Sequence, residues 1–416
     1  MREMKDSGIE WVGTIPAHWS TMPNKYVMRK IKVINPTYNG ENILSLTVNG
    51  VIVRDLEAGG KMPSSFDGYQ ILYKGNLLMC LFDYDVTPRC IGLIKDSGVS
   101  SPAYSQFVLL RGNDAAYFYY YYLMVDHTKA LLHRAKNLRH SFTEEQLGAI
   151  KVPAPPIAEQ KRIADFLDSK CSEIDAISAD IQKEIETLEQ YKRSVITEAV
   201  TKGLNPNAET KKSAIFYMAP YNSEWRLSKI GYECTKLARP FSPADMPLLC
   251  TNKGKVSPRP SDMTGKMVSE DNAMQGIHKG DIAIHGMDTW HGAIAMSEYD
   301  GKITRVVHVC DSKQDKRFIV YYLQQLAFND VYKLISFGIR GNTSDFRSWD
   351  KVKDIYIALP DIDEQQKISD FLDLECRRVE DIVSEKKKQL DVLDAYKKSL
   401  IYEYVTGKKE SPLYES

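Results

Sequence analysis

Arg54, Lys61, Tyr84, Arg89, Arg139 and His140 stand in polar loops between short apolar runs of the first third of the chain. Lys255, Arg259, Trp290, His291, Arg340 and Asn342 stand in comparable loops beyond its middle. The first set falls within Arg54 to Lys61, Asp83 to Arg89 and Arg134 to Ser141. The second falls within Lys253 to Arg259, Met287 to His291 and Gly338 to Ser344. These side chains share one chemistry. A guanidinium reads guanine with two hydrogen bonds, an amide reads adenine, a carboxylate accepts from cytosine, and lysines and hydroxyls hold phosphates. Loops of this composition on rigid sheets suit sequence-specific contact with a duplex. An ordinary solvated loop is the alternative for any one of them, so it is the recurrence in both halves that points to binding.

Catalytic patterns are missing from the sequence. There is no GxxxxGK[ST] phosphate loop, no Asn/Asp-Pro-Pro-Tyr/Phe motif, no HExxH and no GxSxG. Pro360-Asp361 followed by Glu385-Lys386-Lys387 imitates a nuclease pattern, but its lysine falls on a helical seam. The eight histidines show no metal-ligand spacing, and the seven cysteines form no CxxC pair. A reduced, cytoplasmic setting without metal is expected. Met1-Arg2-Glu3-Met4-Lys5 is not a secretory signal, and no window approaches a membrane span. Over 416 residues the formal net charge is zero. A nucleic-acid site must therefore be a local patch, or partners must share the work.

The elements that position the loops are organised by a stretch that occurs twice. Ile150 to Asp168 and Ile355 to Asp373 align without a gap. Pro155 answers Pro360, Gln160 answers Gln365, Cys171 answers Cys376 and Tyr191 answers Tyr396, each 205 residues apart (360 − 155). A constant offset means one supersecondary unit used twice. Each copy reads as a short strand, a proline corner and one long helix running to Gly203 or Gly407. Asp363 with Gln366 suits an N-cap and capping box in the second copy, whereas the first has Ala158 in that place. Leu167, Ile174, Ile181, Ile185, Leu188 and Val195 form an apolar heptad seam in the first helix. Leu372, Val379, Val383, Leu390, Leu393 and Leu400 form it in the second. Ser178, Lys192, Lys386 and Lys397 interrupt the two seams. Helices of about 45 residues, about 65 Å long, with matched seams are expected to pack on each other as a rod.

The domain order follows: residues 1–147 as a mixed domain, 148–204 as strand-turn and first long helix, 205–352 as linker and second mixed domain, 353–407 as the second strand-turn and helix, and 408–416 as a polar tail. In the first domain, short strands are expected at Ile43 to Val53, Ile71 to Leu81, Ile91 to Ile94 and Phe107 to Leu110. An aromatic helix is expected over Ala115 to Leu132. Its run of four tyrosines, Tyr119 to Tyr122, imitates a base-stacking platform. Consecutive residues point all round a helix, so packing against the sheet is the better expectation. Trp225 answers Trp19, and Lys279-Gly280-Asp281 answers Lys74-Gly75-Asn76. The fold class is α/β in the α+β sense, with a pseudo-twofold internal repeat.

The chain resembles the DNA-specificity subunit of type I restriction–modification systems. The resemblance rests on the Gly8-Ile9-Glu10-Trp11 to Trp19 opening, on the Pro-x-x-x-Glu-Gln…Phe-Leu-Asp stretches at Pro155 to Asp168 and Pro360 to Asp373, and on the Tyr-Lys-Arg-Ser and Tyr-Lys-Lys-Ser ends at Tyr191 and Tyr396. The second copy departs from it at the corner, where Ala358-Leu359-Pro360-Asp361 replaces Pro-x-Pro-Pro. The resemblance implies two target-recognition domains, each reading half of a split site in double-stranded DNA. The two long helices would form an antiparallel coiled coil that sets the spacing. Two methyltransferase subunits would dock there, and restriction translocase–nuclease subunits would join them. S-adenosylmethionine, ATP and magnesium would belong to those partners, and this chain would have no catalytic role. The alternatives are the recognition chain of a type IIB or IIG-like system, a coiled-coil interaction scaffold without DNA binding, or an enzyme with an unrecognised site.

Overall fold

The computed structural model describes residues 2–57, 63–135, 140–251, 254–260, 273–336 and 344–412. They form two compact units, Met1–Ile181 with Lys388–Ser416, and Gln182–Lys387. The division runs through the long helices rather than between the repeated segments. Each unit therefore holds the first part of one long helix and the last part of the other.

In the first unit the strands are β1 (Met28–Ile31), β2 (Leu44–Thr47), β3 (Gly50–Val53), β4 (Gln70–Leu72), β5 (Leu77–Met79), β6 (Ile91–Leu93), β7 (Gly98–Ser100) and β8 (Ser105–Leu109). An antiparallel sheet of order β1-β8-β5-β6 carries two further pairings, β2 with β3 and β4 with β7. Helix α1 (Ala115–His127) follows, then α2 (Ile157–Lys202). In the second unit the strands are β9 (Cys234–Lys236), β10 (Leu248–Thr251), β11 (Lys255–Pro258), β12 (Met274–Ile277), β13 (Ile282–His285), β14 (Ile294–Met296), β15 (Gly301–Thr304) and β16 (Val307–Ser312), with α3 (Lys316–Phe328) and α4 (Ile362–Val405). Its sheet order is β9-β16-β13-β14, with β10 paired to β11 and β12 to β15. A single parallel bridge recurs as well, Ile43 to Val99 in one unit and Pro247 to Lys302 in the other. The two units thus share a topology strand for strand, although their loops share little sequence.

The expected runs become shorter elements. Ile43 to Val53 folds back at Val48-Asn49 into β2 and β3, with Gly50, the first residue of β3, at φ +96°. The aromatic helix stops at His127, because Lys129 adopts φ +49° and ends the α conformation. Tyr120, Tyr121 and Tyr122 are buried in the core of the first unit with Trp19, Phe118 and Leu167. The Tyr120 hydroxyl donates to Asp168 at 2.7 Å, and the Trp11 indole donates to the Tyr121 oxygen at 3.1 Å. The tyrosine run is therefore a packing element.

The repeated Glu-Gln explains how each long helix is seated. Gln160 donates to the Pro155 carbonyl at 2.8 Å and accepts from the Asp114 amide at 2.8 Å; Asp114 caps α1. Gln365 donates to the Pro360 carbonyl at 3.0 Å and accepts from the amide of Asp315, the cap of α3, at 3.1 Å. Glu159 accepts from the Trp19 indole at 2.5 Å, and Glu364 from the Trp225 indole at 3.2 Å. The expected cap at Asp363 is corrected. Helix α4 begins at Ile362, and it is the Asp361 carboxylate that accepts from the Glu364 amide, at 2.8 Å. The cap thus lies two residues before the one the capping-box spacing suggested (363 − 361).

The repeat also extends further than the sequence reading took it. Ser7, Ile9, Val12, Ile15 and Trp19 find counterparts in Ser213, Ile215, Met218, Tyr221 and Trp225, at an offset of 206 (225 − 19). Both serines turn the chain in the same way, accepting from the Ile9 and Ile215 amides at 3.1 and 2.9 Å. In the first unit this lead-in meets the end of α4: a Cβ on Gly407 would lie 2.5 Å from Pro16 and 2.8 Å from Trp19.

Within each unit the long helices run antiparallel. In the first, Phe166 packs against Tyr404 with ring centroids 4.4 Å apart and the rings tilted by 33°, and Lys397 meets Asp175. In the second, Lys192 meets Glu380 and Lys386 meets Glu184. Leu167, Ile174, Ile185, Leu372, Val379, Val383 and Leu400 are buried. Ile181, Leu188, Val195, Leu390 and Leu393 are half-buried.

Candidate nucleic-acid interface

In both units one loop from the sheet meets one strap that returns from beyond the aromatic helix. In the first unit the loop between β5 and β6 pairs with the strap at His140 to Phe142. The Tyr84 amide donates to the His140 carbonyl at 3.3 Å, and the Phe142 amide to the Leu81 carbonyl at 2.8 Å. In the second the loop between β13 and β14 pairs with Ser344 to Phe346. The Ser344 amide donates to the Met287 carbonyl at 2.9 Å, and the Phe346 amide to the Gly286 carbonyl at 3.0 Å. Gly286 is required by this approach, since a Cβ there would lie 2.7 Å from the Phe346 oxygen. The structure therefore brings together, in each unit, two of the three loops singled out in the sequence.

The first loop is held from beneath by residues the sequence reading missed. Lys129 donates to the Thr87 carbonyl and to the Asp126 carboxylate, both at 2.7 Å. The other oxygen of Asp126, itself buried, accepts from the Cys90 amide at 2.8 Å. The spacing of Asp126 and Lys129, one turn apart at the end of a helix, was the available signal. Burial pushes the Tyr84, Cys80 and Cys90 groups up from their ordinary pKa values, so they stay neutral.

Three of the twelve proposed contacts change meaning. Tyr84 is buried, packs edge-on against Phe142 at 5.5 Å and sits under the Lys129 ammonium; its ring supports the loop and is not presented to a duplex. The Arg89 guanidinium is spent internally. Its Nη1 donates to the Val48 carbonyl at 2.8 Å, its Nε to the Ile91 carbonyl at 3.1 Å, and its Nη2 to the Tyr119 hydroxyl. It ties the β2–β3 turn to the sheet. Lys255 is exposed but paired with Glu380 at 2.9 Å.

The remaining residues are placed as follows. Arg54 is half-buried just past β3, its amide bonded to the Ile43 carbonyl at 2.8 Å. His140 takes φ +41° in the strap, 3.8 Å from the Asp85 carboxylate. Arg259 is half-buried beyond β11. Trp290 is half-buried with its indole nitrogen enclosed, and His291 beside it is exposed. Burial holds His285 and His308, behind this loop, below the ordinary histidine value, so they supply no cation there at neutral pH. Lys61, Arg139, Arg340 and Asn342 lie outside the described residues. Among the described residues no group of three His, Cys, Asp or Glu side chains could hold a metal ion, and no helix is long and apolar enough to cross a membrane.

Residues 59–187 match the family described as the type I restriction modification DNA specificity domain. This stretch carries the loop between β5 and β6 and its strap, α1 and most of α2. The chain is 26% identical over 301 residues to the putative type I restriction enzyme MjaX specificity subunit of Methanocaldococcus jannaschii, covering 67% of this chain and 64% of that one. It is 24% identical over 293 residues to the type I restriction enzyme MjaVIII specificity subunit of the same organism, covering 62% of each. The matches thus span under two thirds of these curated relatives. A chain solved in work on complex assembly and conformational transition of the type I R-M system superposes with a TM-score of 0.67 at 14% identity, over 95% of this chain and 99% of that one. At that identity the likeness establishes a shared fold.

Proposed function

We propose that the chain is the sequence-reading, non-catalytic subunit of a type I restriction–modification complex. Each unit reads one half of a split target in double-stranded DNA. The observation that carries this reading is the repeat itself: two units with one topology, each bringing a sheet loop against a strap, but with unlike residues in the loops. Identical scaffolds with different loops are what two readers of different half-sites require. The family match and the names of the two archaeal relatives support the same reading.

Two methyltransferase subunits are the proposed occupants of the outer helix faces. Ile177 and Tyr396 are exposed in the first unit, and Tyr191 and Ile382 in the second. These pairs are related by the 205-residue offset (382 − 177, 396 − 191), so a partner that fits one fits the other. Restriction translocase–nuclease subunits would complete the assembly, with S-adenosylmethionine, ATP and magnesium held by the partners. The test is to co-express the chain with its methyltransferase partner and sequence the methylated sites. A split target with two short half-sites is expected. A continuous site, or base modification by this chain alone, would overturn the proposal.

A further inference from the structure

The loop between β5 and β6 and the loop between β13 and β14 contain the same turn. The Val86 amide donates to the Asp83 carbonyl at 3.2 Å, and the His291 amide donates to the Asp288 carbonyl at 3.0 Å. Asp288 follows Asp83 by 205 residues, and His291 follows Val86 by the same number (288 − 83, 291 − 86). Both turns open on an aspartate and leave their fourth residue in solvent. Val86 is 72% exposed, and His291 is exposed as well. The frame of the turn is kept across the repeat, while the side chain it displays changes from an apolar one to an imidazole.

The backbone at Val86 is held firmly, yet its side chain is not spent on the core. Its amide is bonded within the turn, the carbonyl of the next residue, Thr87, accepts from Lys129 at 2.7 Å, and Pro88 restricts the backbone after that. A β-branched side chain has a stiff torsion and little rotamer freedom to lose on contact. Single exposed apolar residues are common on protein surfaces. This one differs in standing at the displayed position of a turn that occurs twice, in the loops that also meet the two straps. A valine side chain neither donates nor accepts a hydrogen bond, so the donors and acceptors of the base edges offer it nothing. Among the four bases, thymine alone presents a methyl group in the major groove, and that group suits an apolar contact.

We propose that Val86 packs against the methyl group of one thymine in the half-site read by the first unit, and so selects the base at that position by apolar contact rather than by hydrogen bonding. This rests on the reading of the chain as a DNA reader. The test removes a methyl group from each side of the contact in turn. The chain is assembled with its methyltransferase partner, and binding is measured on duplexes in which each thymine of the target, on either strand, is replaced by deoxyuridine, which lacks only that methyl. Deoxyuridine at one position is expected to weaken the wild-type complex by about three- to fivefold, the worth of one buried methyl group. Val86→Ala, with an unchanged unfolding midpoint, is expected to weaken binding to the unmodified target by a similar factor, and to bind the duplex with deoxyuridine at that position equally well. His291→Ala, in the other unit, is expected to keep the full deoxyuridine effect there. A target with no position sensitive to deoxyuridine would overturn the proposal, as would losses from Val86→Ala and deoxyuridine that multiply; either result leaves DNA reading intact. A wild-type complex that binds the target no more tightly than an unrelated duplex would instead sink the reading on which the proposal rests.

Discussion

Arg89 illustrates how a residue of the right type in the right loop can serve another purpose. Its three guanidinium hydrogen bonds close the turn between β2 and β3. Arg89→Ala is expected to lower stability by about 1–3 kcal/mol in urea unfolding, and Arg89→Lys to recover little of it, since an ammonium cannot span the same three acceptors. Composition and position put Arg89, Tyr84 and Lys255 on the list of contacts; their engagement by Tyr119, Phe142 and Glu380 is tertiary and leaves no local trace. The repeated glutamates show a related divergence. Burial would raise Glu159, but hydrogen bonds from His18 and Trp19 and the charge of Arg2 hold it below the usual carboxylate value. Glu364 is raised by burial, with the Trp225 bond too weak to offset it. The depressed Glu159 contributes stability that is present above the unfolded value of about 4.3 and is lost as pH falls through its folded value. The raised Glu364 acts oppositely, favouring the fold at low pH and losing that contribution as pH rises through its folded value. Urea unfolding from pH 3 to 7 should therefore show Glu159→Gln destabilising above about pH 5 and less so at pH 3. Glu364→Gln should be neutral or stabilising at pH 7. Equal pH profiles for the two variants would contradict this assignment.

At the scale of elements, the long helices were the most legible part of the molecule. Their heptads, glycine stops and proline corners are written in local residue types, and the seam positions are buried or half-buried as spaced. The strands were legible only as runs, because three- and four-residue strands offer too few alternations to mark where a hairpin turns. The lead-in repeat was read only at Trp19 and Trp225, because identical positions in it are few (Glu3, Lys5, Ser7, Ile9 and Trp19) and it runs at 206 rather than 205. The two helix-terminal glycines differ in a way the sequence could not disclose. Both are left-handed, Gly203 at φ +84° and Gly407 at φ +70°. A Cβ at Gly203 would meet the end of the Glu364 side chain at 2.9 Å, which can swing away. One at Gly407 would meet the Pro16 ring at 2.5 Å and Trp19 at 2.8 Å, both held in the core. Gly203→Ala should cost about 1 kcal/mol for the backbone alone, whereas Gly407→Ala should add roughly 1–3 kcal/mol of overpacking. Comparison of urea midpoints tests that order.

For the whole molecule, the repeated segments and the compact units do not coincide, and this decides how the parts can be exchanged. Each unit contains a lead-in, a sheet with its loops, an aromatic helix and stretches of both long helices. In the first unit the lead-in, residues 2–19, touches Glu159 and the turn after α4. Replacing residues 1–147 from a relative would break those contacts. Crossing instead after Pro23 and before Lys151, at the ends of the paired strands Ser20–Pro23 and Lys151–Ala154, would carry β1 to β8, α1 and both loops while keeping the lead-in against Glu159 and the turn after α4. Such an exchange is expected to change one half-site only, with the other half-site and the spacer kept. An exchange between Lys229 and Tyr356, at the ends of the equivalent strands of the second unit, should change only the other. The measurement is sequencing of methylated sites in cells that carry each chimaera with the methyltransferase partner. If a single exchange alters the bases of both half-sites, the loops of the two units do not read independently, and the strand-for-strand repeat serves assembly rather than two-part recognition.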